Sequence, residues 1–360
     1  MSTRKIVDCH VHLGPPEKIE HLVELADAVD AAQMGIVCTT GTEGRNATPS
    51  ALAAKAAHPD RFFAFAGLDH SAHHSGGKLA VPGLAEQVDR FIALGADGIK
   101  MLENKPTSRK QLDIPVDGEY FEEYFAKVEE TGFPVLWHVA DPEEFWDPAT
   151  TPKWALERGW GYDKSHVAKE TLYREVEHVL ERHPKLNIMF AHFYFLSADL
   201  PRAAAFLDRF GSVKLDLAPG VEFLYNMSKD VDAARAFFEK YADRIVFGTD
   251  ISSGNTVPEA KHRLGIVRRW LETSDEYRVT DDADFLLGPP EDGVMRGLSL
   301  SAAALDKICN GNYESVVGAS PRPLVKKLAR EECERIAAGL DHFAGGTAED
   351  NPARRAAALL

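Results

Sequence analysis

Cysteine is scarce: four residues, Cys9, Cys38, Cys309 and Cys333, with no CxxC pair among them. That pattern offers neither a disulfide framework nor a cysteine zinc knuckle. No uninterrupted apolar run approaches the roughly 18 residues a membrane span needs. Positive charge is in short supply, 41 Lys+Arg against 56 Asp+Glu for a net charge of −15, and a surface this acidic repels phosphate backbones and anionic lipid. Neither nucleic acid nor membrane is expected as a partner. The opening Met1-Ser2-Thr3-Arg4-Lys5 leads straight into an apolar strand without a secretory hydrophobic region. A reduced, cytoplasmic setting is therefore expected.

What the chain does have is alternation. Short apolar runs at Lys5–His12, Gly35–Gly41, Phe62–His70, Gly98–Leu102, Pro134–Val139, Leu186–His192, Val213–Leu217 and Arg244–Asp250 are separated by segments of helical period. Phe121, Tyr124, Phe125 and Val128 fall on one helix face, as do Leu172, Val176, Val179 and Leu180. A length of 360 residues suits one large barrel or two small domains. Eight strand-then-helix units favour the (β/α)8 TIM barrel. An open doubly wound sheet would want a Gly-rich turn after the first strand, and Gly14-Pro15-Pro16 is not one.

Two segments exceed a minimal barrel. Residues 140–168, after the fifth strand, carry Trp146, Trp154, Trp160 and Tyr162. This insertion is too long for a routine connection, and it reads either as a lid over the active face or as a satellite core under a long loop. From about residue 275 an acidic stretch, Asp275 to Asp284, leads into a helical C-terminal appendage ending near Phe343. Residues 344–360, with little periodicity, read as a flexible tail. Residues 1–343 thus form a single domain.

Chemistry concentrates at the carboxyl ends of the strands. In Asp8-Cys9-His10-Val11-His12, alternation along a strand points His10 and His12 to one face, and neutral imidazoles converging at a barrel rim suit Zn²⁺ or a similar borderline cation. His138 ends the fifth strand, His192 the sixth and Asp250 the eighth. Singly each has a bland reading, such as a rim histidine or a helix-capping aspartate. Four histidines and an aspartate at the same ends of four strands read together as a metal site.

These motifs resemble the amidohydrolase superfamily, and within it the branch of aminocarboxymuconate-semialdehyde decarboxylase-like proteins, from Asp8-Cys9-His10-Val11-His12-Leu13-Gly14 to Phe247-Gly248-Thr249-Asp250 and Asn310-Gly311-Asn312-Tyr313. The resemblance implies that His10, His12, His138 and Asp250 bind one divalent metal, with His192 as a nearby acid/base. Zn²⁺ is the first expectation, with Mn²⁺ or Fe²⁺ as alternatives. Asp250 beside an activated water suits it to accept the proton. Some superfamily members carry a carboxylated lysine on the fourth strand, and Lys100 stands there. A binuclear site bridged by carboxylated Lys100 is the less favoured reading; a plain ammonium attracting a substrate carboxylate is preferred. Lys105, Arg109 and Lys110 read as solvated loop cations. Trp137 and Trp146 are candidates to stack on a flat substrate or, equally, to pack. His70, His73 and His74 read as loop residues.

The function expected is a metal-dependent hydrolase opening a C–N or C–O bond of a small organic acid. The same ligands suit a decarboxylase or hydratase of an unsaturated or aromatic acid. A non-catalytic metal- or ligand-binding barrel is the reading from another class. Branch relatives suggest a homo-oligomer, dimer or tetramer.

Overall fold

Phe62-Phe63-Ala64-Phe65-Ala66-Gly67 is apolar at every position because both of its faces are covered, one by the barrel interior and one by helices. In the computed structural model, which describes residues 4–220, 222–280, 286 and 293–360, it is β3 (Phe62–Gly67). It lies in a parallel sheet with β1 (Val7–His12), β2 (Gln33–Val37), β4 (Gly98–Asn104), β5 (Val135–Val139), β6 (Ile188–Phe190), β7 (Lys214–Asp216), β8 (Ile245–Val246) and β9 (Ile251–Ser252). Strands pair in sequence order from β1 to β8, and β9 returns to β1 with Val11 opposite Ile251.

β8 and β9 are the two ends of one segment, so the sheet closes on itself. Between them Cys9 N donates to Phe247 O at 2.9 Å and Asp250 N donates to His10 O at 2.9 Å. The expected eighth strand is therefore present but split. Asp250 itself takes a left-handed backbone, φ 57°, which interrupts the ladder and turns its carboxylate to the rim. Two other expected strands end earlier than their apolar runs: β6 stops at Phe190, before the left-handed His192, and β3 stops at Gly67 rather than at His70. The result is an α/β TIM barrel.

The barrel interior holds Val7, Cys9, Phe63, Phe65, Leu136, Met189 and Val246, and Tyr313 of the C-terminal appendage plugs it from below. Asn312 anchors that plug by donating to Ala242 O and Ile245 O, both at 2.6 Å. All four cysteines are free and buried. Among the described residues no helix is long and apolar enough to cross a membrane. Of the acidic stretch, residues 281–284 lie outside the described residues.

The flexible tail expected at 344–360 is instead capped by a docked helix, Pro352–Ala358. Asn351 caps it by accepting from Arg354 N at 3.1 Å, and Pro352 occupies its first turn. Ala353, Ala356 and Ala357 are buried against the neighbouring helices Thr48–Ala57 and Lys326–Phe343. Alanine on both faces gave the sequence no contrast from which to read a period. Ala356→Asp would bury a carboxylate in that contact and is expected to cost about 2 kcal/mol or more. A thermal melt that leaves the midpoint unmoved would show that the helix is not docked.

Candidate metal centre and active pocket

His10 and His12 leave β1 on the same face, and each is held from behind. His10 Nδ1 donates to Asp216 Oδ2 at 2.7 Å, and His12 Nδ1 donates to the Val37 carbonyl at 3.1 Å. A carbonyl only accepts, so His12 must carry its proton on Nδ1, and the Asp216 carboxylate imposes the same tautomer on His10. Both Nε2 lone pairs then face Asp250: His12 Nε2 lies 3.0 Å and His10 Nε2 3.8 Å from Asp250 Oδ1. Donor atoms of His10, His12 and Asp250 all fall within 4.8 Å of one another.

This arrangement fits a divalent cation. Imidazole lone pairs turned onto a carboxylate oxygen repel it unless a proton or a cation stands between them, and acceptors behind metal-binding histidines are what fix such ligands in place. Burial and the neighbouring Lys100 charge push the His10 pKa well below its ordinary value. Burial alone would raise Asp250, but the facing His12 and His10 imidazoles outweigh it, and Asp250 is held well below the usual carboxylate range. Arg263 braces it from the other side, Nη1 donating to the Asp250 carbonyl at 2.6 Å.

His192 follows β6 in a left-handed turn. Its φ is 56°, and Phe193, Tyr194 and Phe195 also lie between 50° and 56°. Four consecutive non-glycine residues in this region cost roughly 1–2 kcal/mol each. Two anchors offset the strain at the histidine: its N donates to Asp216 Oδ1 at 2.7 Å, and its Nδ1 donates to Ala218 O at 3.1 Å. Burial of the three aromatic side chains that follow offsets more. The ring centroid of His192 lies 5.1 Å from that of His10 and 4.8 Å from that of His138. Burial, reinforced by His10, lowers its pKa to about 4, so it stands neutral at physiological pH.

His138 is near but stands outside the three-donor group. Its Nε2 donates to Ala140 O at 3.0 Å and to Asp141 Oδ1 at 3.1 Å. Asp141 also accepts from Lys105 Nζ at 2.8 Å and from the Tyr162 hydroxyl. Burial would raise the Asp141 pKa, but Lys105 and His138 outweigh it and hold the carboxyl well below its ordinary range. Lys100 is buried in the barrel interior, with Nζ 3.4 Å from His10 Nε2. Burial lowers its pKa to about 8, against the pull of Asp216 and Asp250.

These groups open on a cavity of about 420 Å³ whose wall includes Lys100, Lys105, Arg45, Trp160, His138 and His192. Of the loop cations that read as solvated, Lys105 is at the pocket and paired with Asp141, Arg109 is buried against Glu175, and Lys110 reaches Ser165 of the insertion.

The two tryptophans expected at the substrate do not line this cavity. Trp137 is fully buried on the outer face of β5, its ring 5.4 Å from Phe125 and 5.9 Å from Phe190. One step from His138, it must point the other way. Trp146 packs on Tyr162 at 4.7 Å inside the insertion. The insertion's apolar cluster of Phe145, Ala155 and Tyr162, flanked by Trp146, Trp154 and Trp160, is the satellite core, and it offers Trp154 and Trp160 to the pocket. Trp137→Ala is expected to cost about 3–5 kcal/mol of stability, whereas Trp160→Ala should leave the melting midpoint in place and raise KM. Equal effects of the two on stability would contradict this division.

The sequence profile of the amidohydrolase family matches residues 7–318. The protein belongs to the amidohydrolase family. Solved structures similar to this chain include a zinc-bound amidohydrolase from Burkholderia multivorans, with a TM-score of 0.53 and 16% identity over 88% of this chain and 100% of that one. A putative amidohydrolase from Staphylococcus aureus gives 0.53 and 15% identity over 87% and 99%. The 2,6-dihydroxybenzoate decarboxylase from Rhizobium gives 0.52 and 16% over 87% and 98%. At these identities the likeness is one of fold. No curated protein matches the chain.

Three groups escaped the sequence reading. Asp216 ends β7 without a motif around it. Asp8 accepts from His10 N and Thr249 N, both at 3.1 Å, and pins β1 to the eighth segment. It stood in the quoted motif, two residues before His10, and alternation puts it on the same face, which was the available signal. Asp141 follows His138 by three residues, and only the left-handed bend at Ala140, φ 61°, brings it back.

Proposed function

We propose that the protein is a divalent-metal-dependent hydrolase that opens a C–N or C–O bond of a small organic acid. The observation that carries this reading is the convergence of His10 Nε2, His12 Nε2 and Asp250 Oδ1, each backed by a fixed partner, at the base of a cavity walled by cations. His10, His12 and Asp250 would hold the metal, with His138 as a further ligand. One ion is proposed, zinc before manganese or iron, and the zinc in the similar Burkholderia structure supports that order. A metal there supplies Lewis acidity and lowers the pKa of water from 15.7 to about 7.

The chain's own residues do the rest. Asp250, ionised, accepts the proton of the attacking water. His192, neutral and close to both His10 and His138, relays that proton towards the leaving group. Lys100, with Lys105 and Arg45 above it, holds the carboxylate of the acid against the barrel floor, which favours an unmodified Lys100 over a bridging carbamate. A purely structural metal site would have no use for these cations or for a neutral His192 kept in a strained turn.

A second reading is favoured by one observation, the aromatic rings of Trp154 and Trp160, set edge to face beside the cavity. It suits a conjugated acid, and the fold is shared with a dihydroxybenzoate decarboxylase; decarboxylation would use the same ligands. A panel of lactones, amides and unsaturated or aromatic carboxylic acids, scored for CO₂ release against hydrolysis, separates the two. Hydrolysis without CO₂ upholds the first reading, and CO₂ release replaces it with the second. The setting proposed is a reduced cytoplasm and the assembly a homo-oligomer, read by size-exclusion with light scattering.

A further inference from the structure

The Asp141 carboxylate gathers donors from three separate parts of the chain. His138 Nε2 comes from the end of β5, Lys105 Nζ from the loop after β4 at 2.9 and 2.8 Å, and the Tyr162 hydroxyl from the 140–168 insertion. All three are buried or nearly so. Two acceptors, Ala140 O and Asp141 Oδ1, meet the same His138 nitrogen. That nitrogen must carry the proton, and the lone pair is left on Nδ1. His138 is thus turned the opposite way from His10 and His12, whose Nδ1 atoms donate and whose Nε2 atoms face the cluster.

We propose that Asp141 is a positioning residue, fixing His138 so that Nδ1 is the atom presented to the metal, at a junction that the insertion completes through Tyr162. Closure of the insertion and affinity for the metal are then one linked equilibrium. The inference rests on the reading of His138 as a ligand. Tyr162 belongs to the apolar cluster of the insertion, its N donating to Phe145 O at 2.7 Å and its ring packed on Trp146. Lifting that cluster takes the hydroxyl from Asp141 and frees the carboxylate to pivot on Lys105. Linkage makes the effect reciprocal: a bound metal holds the insertion down by the same free energy by which the closed insertion tightens the metal.

The test measures affinity for Zn²⁺ and Co²⁺ by competition with a chromogenic chelator. Asp141→Asn is expected to weaken binding by about 10 to 100-fold and to alter the visible spectrum of the cobalt protein. In the His138→Gln background Asp141→Asn should add no further loss, because its effect passes through that ring. Tyr162→Phe, which removes one oxygen and keeps the packing, should weaken binding in the same direction by a smaller factor. In the unaltered protein Zn²⁺ should slow amide exchange across residues 142–167. Unchanged affinity in Asp141→Asn, additive losses with His138→Gln, or exchange in the insertion indifferent to metal would each overturn the inference. The metal-site reading fails separately, if His10→Ala/His12→Ala retains the metal.

Discussion

Replacing His10 and His12 together with alanine is expected to leave a folded protein that carries no metal and has lost at least about 10³-fold in kcat/KM, because nothing else in the pocket acidifies a water by several pKa units. Folding should survive the change. Asp216 Oδ2 loses its His10 partner while Oδ1 keeps the amides of His192 and Ala218, at 2.7 and 3.0 Å, so the penalty is that of one buried unpaired acceptor, about 1–3 kcal/mol or more. Metal content by atomic emission, with circular dichroism as the control for folding, checks the result. A double variant that is folded and still binds one equivalent would remove the basis for the whole site.

The second large effect is expected at His192. His192→Asn should retain the metal while kcat falls by about 10²–10⁴, the range for loss of a positioned acid or base. Asparagine is the informative replacement, since it tolerates the left-handed φ of 56° that the turn demands. Substitution by a β-branched residue would confound chemistry with backbone strain. If His192→Asn instead loses metal and keeps its turnover per bound ion, His192 is a ligand and the proton relay lies elsewhere.

Much of this was legible in the sequence, and the parts that were not share a physical cause. The strands are legible as apolar runs, with His192 and Asp250 placed only as the ends of such runs, and the shared face of His10 and His12 follows from period-2 alternation, a strictly local rule. That rule also disqualifies Trp137: adjacent to His138, it had to face the helices. Asp216 and Asp141 act across the chain, 206 residues from His10 and 36 from Lys105, and no local period records such a pairing. The left-handed residues His192, Asp250 and Ala140 were equally hidden, because only glycine announces that conformation. Trp160 was visible as part of an aromatic insertion, but its turn towards the pocket depends on the cluster of Phe145, Ala155 and Tyr162 beneath it.

Asp216 has a bearing on how such an enzyme can diverge. One carboxylate holds the ring of His10 and the backbone amides of His192 and Ala218, so the proposed metal ligand and the proposed proton relay cannot be retuned independently from that position. Any change there strikes both together. Arg45, Lys105, Trp154 and Trp160 sit on connections that share none of these bonds. A lineage altering its substrate would therefore accumulate replacements on the loops and the insertion, and leave an inner quartet of Asp8, His10, Asp216 and Asp250 untouched. A newly diverged relative with a different acid as substrate should be recognisable by that asymmetry alone.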